Sequence, residues 1–302
     1  MTDNYKLFRD NFCDKCMEES EKEPKKFQQI YNGEKENPSY LGYKYYCPFC
    51  HRLKDDGSDA KKDLIEKDTA RSLPEFLAKI ENEPHVEWFR GVSNTNYPLK
   101  SVIGRLDIGE KIHTALKKEY RLFSEFKRYI SYLENSCENE DIAFIGQHYK
   151  LPTRLLDWTS SPLVALYFAT KNKENDGAVY ILGQVSGTPK GFTYESMLTD
   201  GTQIEKSDTY LVKPRAMSSR MITQSGVFTI QTDPFIPLTK EVRKKIIIPQ
   251  ICKGKIFADL DRVGIHDFSL FPDKEGLAAW LREKYWLRSM YDPIEDLLWS
   301  NR

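Results

Sequence analysis

The chain has 302 residues, 40% hydrophobic and 13% aromatic, enough to build a core in two domains or in one large domain with an appendage. Its 45 lysines and arginines balance 45 aspartates and glutamates, which argues against a global field that would hold a polyanion or a membrane surface, although a local basic patch is compatible with this balance. No stretch approaches the roughly 18 consecutive apolar residues of a membrane span, and the opening residues hold no apolar core of signal-peptide length, so a cytoplasmic protein with no membrane partner is expected.

Four of the six cysteines form two CxxC pairs, Cys13 with Cys16 and Cys47 with Cys50; the other two, Cys137 and Cys252, stand alone. A CxxC turn presents two thiolates to one metal from a tight loop, and two such turns complete the tetrahedral sphere that zinc prefers. The spacing therefore predicts a structural zinc on Cys13, Cys16, Cys47 and Cys50, with His51 as a substitute for Cys50. Free or redox-active thiols are the alternative, although a redox motif needs only one pair in a strand–helix context. A four-thiolate site has no open position for catalysis, so the metal folds the region. The polar insert of 30 residues from Met17 to Tyr46 is long for a named finger, and its acidic run from Glu18 to Glu23 speaks against a grip on nucleic acid. A protein partner, self-association or the knot's own loop remain as its contacts.

This zinc-ribbon-like knot occupies residues 1–58, a charge-rich linker or exposed helix follows at 59–71, and the main domain covers 72–302. Ser72 and Glu75 have the spacing of a capping box, with a helix through Leu73, Phe76, Leu77 and Ile80. A short strand from Val86 to Phe89 ends at Arg90-Gly91. Leu116, Tyr120, Phe123, Phe126, Ile130 and Leu133 recur every three or four residues and predict a helix of about five turns with one buried face. Ser161-Pro162 starts another helix, since serine accepts from free amides and proline at the first helical position loses nothing. Asn175-Asp-Gly177 turns the chain into a strand from Ala178 to Leu182, with further strands at Gly226 to Thr232 and Lys245 to Ile251 and a last helix near Gly276 to Lys284. This irregular mixture predicts an α+β fold.

Three segments place polar residues in apolar surroundings: Phe89-Arg-Gly91, Gly146-Gln-His-Tyr-Lys-Leu-Pro-Thr-Arg-Leu-Leu-Asp-Trp-Thr159, and Arg220-Met-Ile-Thr-Gln-Ser-Gly-Val-Phe228. With Leu270-Phe-Pro-Asp-Lys-Glu-Gly-Leu-Ala278 they resemble the FRG family over roughly residues 72 to 285. Lys150 stands where that family usually has glycine, and Lys274-Glu275 replaces its more usual residues. The resemblance implies a microbial or phage-related module suspected of roles in conflict systems, as a toxin or defence effector.

Arg90 at a strand end, and Thr159-Ser160-Ser161 before a helix containing Val164-Ala165 and Phe168-Ala169, further resemble landmarks of the ADP-ribosyltransferase fold. That resemblance implies NAD as substrate, with Arg90 on its phosphate and Thr159, Ser160 and Ser161 at the nicotinamide pocket; Gly91, Arg154 and Arg220 of the FRG-like segments join them as candidate binding residues. An arginine fork suits a pyrophosphate, and hydroxyls orient a ribose or carboxamide. Where such a transferase carries a glutamate, this chain offers Gln224, which hydrogen-bonds a ribose but does not offset a developing positive charge; Asp157 is the acid at hand. His148 reads equally as a general acid or base oriented by Asp157, or as a hydrogen-bonded core histidine. Arg154 and Asp157 read equally as a structural ion pair, Ser160 and Ser161 as helix caps, and Arg90 as an anchor for loop carbonyls. Two functions follow: an ADP-ribosyltransferase or NAD glycohydrolase with His148, Asp157 and Gln224 as catalytic candidates, or a noncatalytic module recognising a nucleotide, a nucleic-acid end or a protein. Neutral charge makes a broad nucleic-acid binder the weaker expectation.

Overall fold

A computed structural model describes residues 18, 21–22, 65–81, 88–105, 112–133, 141–188, 193–199, 209–213 and 223–287. The four cysteines of the expected zinc knot, His51 and Arg220 lie outside the described residues. The strands are β1 Glu66–Thr69, β2 Phe89–Val92, β3 Leu155–Thr159, β4 Gly177–Leu182, β5 Ser186–Gly187, β6 Thr209–Val212, β7 Gly226–Gln231 and β8 Val242–Ile248. They form one eight-stranded sheet in the order β1-β8-β4-β2-β3-β7-β6-β5. The β1–β8 and β5–β6 pairs are parallel and the rest antiparallel. Around it lie α1 Leu73–Glu81, α2 Ile112–Leu133, α3 Ile142–His148, α4 Pro162–Thr170, α5 Tyr194–Thr199, α6 Gln250–Arg262, α7 Asp267–Leu270 and α8 Lys274–Arg282. Helices and strands mix without regular alternation, as in the α+β class.

Local chemistry sets several of these boundaries. Ser72 Oγ accepts from the Glu75 amide at 3.3 Å and starts α1. Ser161 Oγ accepts from the Val164 amide, with Pro162 at the first helical position, and starts α4. Asp273 Oδ1 accepts from the Gly276 amide at 2.7 Å and starts α8 two residues before the expected Gly276. The end of α3 is a Schellman turn: the Lys150 amide donates to Gln147 O and the Leu151 amide to Gly146 O, with Lys150 at φ 67°. That is the left-handed region that favours glycine, so Lys150 carries a backbone cost here.

The charged segment at 59–71, read from sequence as a linker or exposed helix, contributes β1 in its described part. Its partner β8 lies far along the chain, and its charges suit a sheet edge: Asp68 accepts from Lys79 Nζ at 2.6 Å and faces Lys244 at 3.7 Å. The long helix runs past its core contacts: Phe123 and Ile130 are buried, whereas Tyr120 and Leu133, expected on the buried face, are exposed.

Apolar residues pack on both faces of the sheet. On one face α1, α4, α6 and α7 cover Phe89 of β2, Val179 and Ile181 of β4, and Ile246 and Ile248 of β8. Further along, α2, α3 and α5 gather over Leu155 of β3 and Phe228 and Ile230 of β7. The pleat sends Leu156 and Trp158 into the cluster with Ala178, Tyr180 and Leu182 on the opposite face. The two helical groups thus divide the sheet between β2 and β3.

Candidate functional site

At this division the sheet opens. Strand β3 matches β7 residue by residue over its whole length, but β2 meets β3 only at Phe89 and Thr159. A cavity of about 300 Å³ occupies the opening. Its walls come from β2 (Phe89, Arg90, Gly91), β3 (Asp157, Trp158, Thr159), β7 (Gly226, Val227, Phe228), α4 (Val164, Phe168) and Gln224. Most of these are apolar, and the few polar groups converge, as in a small-molecule site.

Arg90 lies within β2, not at the strand end predicted from sequence. Its Nη1 donates to the Asp157 carbonyl at 2.6 Å, so the guanidinium takes a carbonyl of β3 where the two strands have parted. The same nitrogen reaches Asp157 Oδ2 at 3.5 Å. Arg90 Nε is buried and has no partner among the described residues. Burial pushes this guanidinium below its ordinary value, while the Asp157 charge pulls it back up. An arginine nevertheless keeps its proton, so the cavity wall carries a fixed cation with a donor still to be satisfied.

The Asp157 side chain is 59% exposed and is positioned from the other side by Gln147 of α3, whose Nε2 donates to Asp157 Oδ1 at 3.1 Å and to Leu155 O at 3.3 Å. Because Leu155 O only accepts, it fixes which end of the amide carries the nitrogen, and Thr153 donates to the remaining Oε1. Gln147 is the site residue that sequence reasoning passed over in favour of its neighbour. His148 is half-buried, packs edge-on against Tyr149 with ring centroids 5.0 Å apart, and is not among the described residues lining the cavity. The carboxylate expected to orient it is held by Arg90 and Gln147.

Thr159 lines the cavity, but its hydroxyl is engaged twice, donating to Gln224 O at 2.6 Å and accepting from the Ser161 amide at 3.0 Å. Ser161 is the cap of α4, and Ser160 is exposed with its amide donating to Ser225 O. Gly91 is required for packing: a Cβ there would sit 1.8 Å from Ala165 O, so α4 lies directly on the Phe-Arg-Gly strand. Gln224 Nε2 donates to Leu270 O at 3.1 Å, tying the cavity to the Leu270-Phe271-Pro272-Asp273 segment.

Arg154 is turned into the protein away from this site. Its Nε donates to Glu119 Oε2 of α2 at 2.6 Å and its Nη1 to Thr232 O at 2.8 Å, while the Tyr194 hydroxyl donates to Glu119 Oε1 at 2.9 Å. Glu119, the actual partner of Arg154, is masked in the sequence as one charge in a polar-faced helix. Burial pushes its carboxyl upward, and Arg154 and Tyr194 pull it back. The structure therefore brings Arg90, Gly91, Asp157, Thr159 and Gln224 to one cavity, and leaves His148, Arg154, Ser160 and Ser161 off its walls.

Fold and cavity together define a class, an α+β domain whose sheet parts at an arginine-lined cleft. Residues 85–178 match the FRG domain family, a stretch that includes Arg90, Gln147, Asp157 and Thr159 and stops short of Gln224 and Leu270. No curated protein and no solved structure matches the chain. No helix among the described residues is long and apolar enough to cross a membrane.

Proposed function

We propose that the cleft between β2 and β3 binds a nucleotide-type ligand through Arg90 and that the protein acts on NAD or a related nucleotide, as an ADP-ribosyltransferase or NAD glycohydrolase of a microbial or phage-related defence or toxin system. The observation that carries this reading is Arg90 Nε, without a partner among the described residues: a buried, permanently charged donor at a cavity wall suits a phosphate oxygen that would complete its hydrogen bonding. Phe89, Trp158, Phe168 and Phe228 contribute to walls that are mostly apolar, as the binding of a base or nicotinamide ring requires.

In the enzymatic reading the bond between the ribose carbon and the nicotinamide nitrogen breaks, with the electron pair leaving on nicotinamide and positive charge developing on the ribose. Asp157 is the cavity carboxylate that offsets that charge, positioned by Gln147 and released from Arg90 when a phosphate takes the guanidinium. Water or an acceptor side chain then takes the ribosyl carbon and gives up its proton. The N-terminal cysteines, Cys13, Cys16, Cys47 and Cys50, hold a structural zinc in this account and supply a surface for a protein partner or for self-association.

A second reading, a noncatalytic recognition module, draws support from Gln224. Its amide is tied to a backbone carbonyl, and it puts a neutral side chain where charge compensation would call for an acid. Incubating wild-type and Arg90→Ala protein with labelled NAD, alone and with cell extract, separates the two. Nicotinamide release or label transfer that disappears in the variant supports the enzyme. NAD binding without turnover by folded wild-type protein supports the module.

A further inference from the structure

The hydrogen-bonding polarity of Gln224, a cavity residue, is decided by a neighbour outside the cleft. Leu270 O only accepts, so the Gln224 amide must turn its nitrogen toward that carbonyl, at 3.1 Å. The carbonyl is itself firmly placed. Leu270 is 2% exposed at the end of α7, Thr223 Oγ1 donates to the same oxygen at 3.2 Å, and Phe271 stands edge-on to Phe168 of the cavity wall at 6.2 Å. Tight packing at Gly276, where a Cβ would fall 1.9 Å from Phe271 O, holds the segment from behind. What remains of the amide is Oε1, which makes no hydrogen bond among the described residues and is an obligate acceptor.

We propose that Leu270 sets Gln224 as a specificity-determining acceptor, so that the cleft selects a planar ring bearing a neutral carboxamide and rejects the same ring when the N–H is missing. This rests on the reading of the cleft as a nucleotide site and narrows its ligand class. Phe89, Trp158, Phe168 and Phe228 line a cavity that accepts a flat ring of suitable size; Gln224 lines it too, and a ring without a donor packed over its Oε1 would strip that acceptor of water and leave it unpaired. A carboxylate on the ring meets the further repulsion of Asp157.

The test is isothermal titration of wild-type protein with NAD and with its acetylpyridine analogue, in which a methyl group replaces the amide nitrogen at equal charge and shape. Wild-type protein should favour NAD by about tenfold, and Gln224→Met should bring the two dinucleotides within about threefold of each other. Gln224→Leu is the reserve variant, and thermal melting establishes that either one is folded. Equal binding by wild-type protein overturns the selectivity and leaves the nucleotide site standing. Discrimination that survives in a folded Gln224 variant overturns the role of Gln224, and failure of both dinucleotides to bind overturns the selectivity and the site together.

Discussion

Arg154 and Glu119 meet at 2.6 Å with side chains 2% and 1% exposed, whereas Arg90 and Asp157 approach only to 3.5 Å with side chains 15% and 59% exposed. In the first pair the arginine also donates to Thr232 O, the acid also receives Tyr194, and the Arg154 amide donates back to the Tyr194 hydroxyl. In the second, one nitrogen makes both contacts and Nε makes none among the described residues. Two arginine–carboxylate pairs on or beside the same central strand therefore serve different ends. A closed, buried pair with further hydrogen bonds on both partners ties the start of β3 to α2, while an open pair at a parted sheet keeps a cation available.

The largest effect should come from breaking the closed pair. Arg154→Met strands the Glu119 carboxylate in the interior, and denaturant titration should show a loss of about 3–5 kcal/mol. Replacing both partners, Arg154→Met with Glu119→Leu, should recover most of it because no unpaired charge is left behind. An equally damaged double variant would contradict the account of the closed pair.

Arg90→Ala should invert that pattern. With its carboxylate partner largely solvated, stability should fall by no more than about 1 kcal/mol, while NAD affinity drops at least about tenfold. Arg90→Lys should behave more like alanine than like wild type, since an ammonium does not reproduce the planar fork.

The open side also has a titratable support. His266 Nδ1 accepts from the Ser269 amide at the start of α7, and its ring stacks on Trp280 at 4.6 Å. Burial pushes this histidine below its ordinary value. Protonation is thus disfavoured in the folded protein: the stability is fully present above the unfolded histidine range near ~6.5 and is lost as pH falls from there through the lower folded value. Melting between neutral pH and about pH 5 should reveal a loss of about 1 kcal/mol, the size of a helix cap, that His266→Asn removes. A pH profile unchanged by His266→Asn would contradict this.

The smallest effect is a gain. Lys150→Gly relieves the left-handed residue at the end of α3, the helix that carries Gln147, and should raise stability by up to about 1 kcal/mol without altering ligand affinity. A loss of stability would show that the lysine side chain contributes more than its backbone costs.

Much of the framework was legible in the chain. Ser161-Pro162 and Ser72 announced their helices because caps are local chemistry, and Phe123 and Ile130 announced the buried face of α2 because periodicity is local too. The edge strand β1 was not legible: its pairing with β8 is long-range, and its lysine and acids read as solvent. Arg90, Asp157, Thr159 and Gln224 could be selected as polar residues in apolar segments, and they line one cavity. The same signal selected Arg154, whose destination depends on Glu119, a residue 35 positions earlier. Gln147 lay hidden beside the more conspicuous His148, since only the helix geometry shows which of two adjacent side chains reaches β3. The Thr153–Gln147–Asp157 spacing was the available clue.

The most direct test of the open pair is titration of NAD into wild-type and Arg90→Ala protein, with the melting temperature of each measured in the same buffer. Saturable binding by wild-type protein that weakens at least about tenfold in a variant of nearly unchanged melting temperature is the predicted result. Equal affinity in the two proteins, or absence of binding to folded wild-type protein, would contradict the assignment of the Arg90 cleft as a nucleotide site.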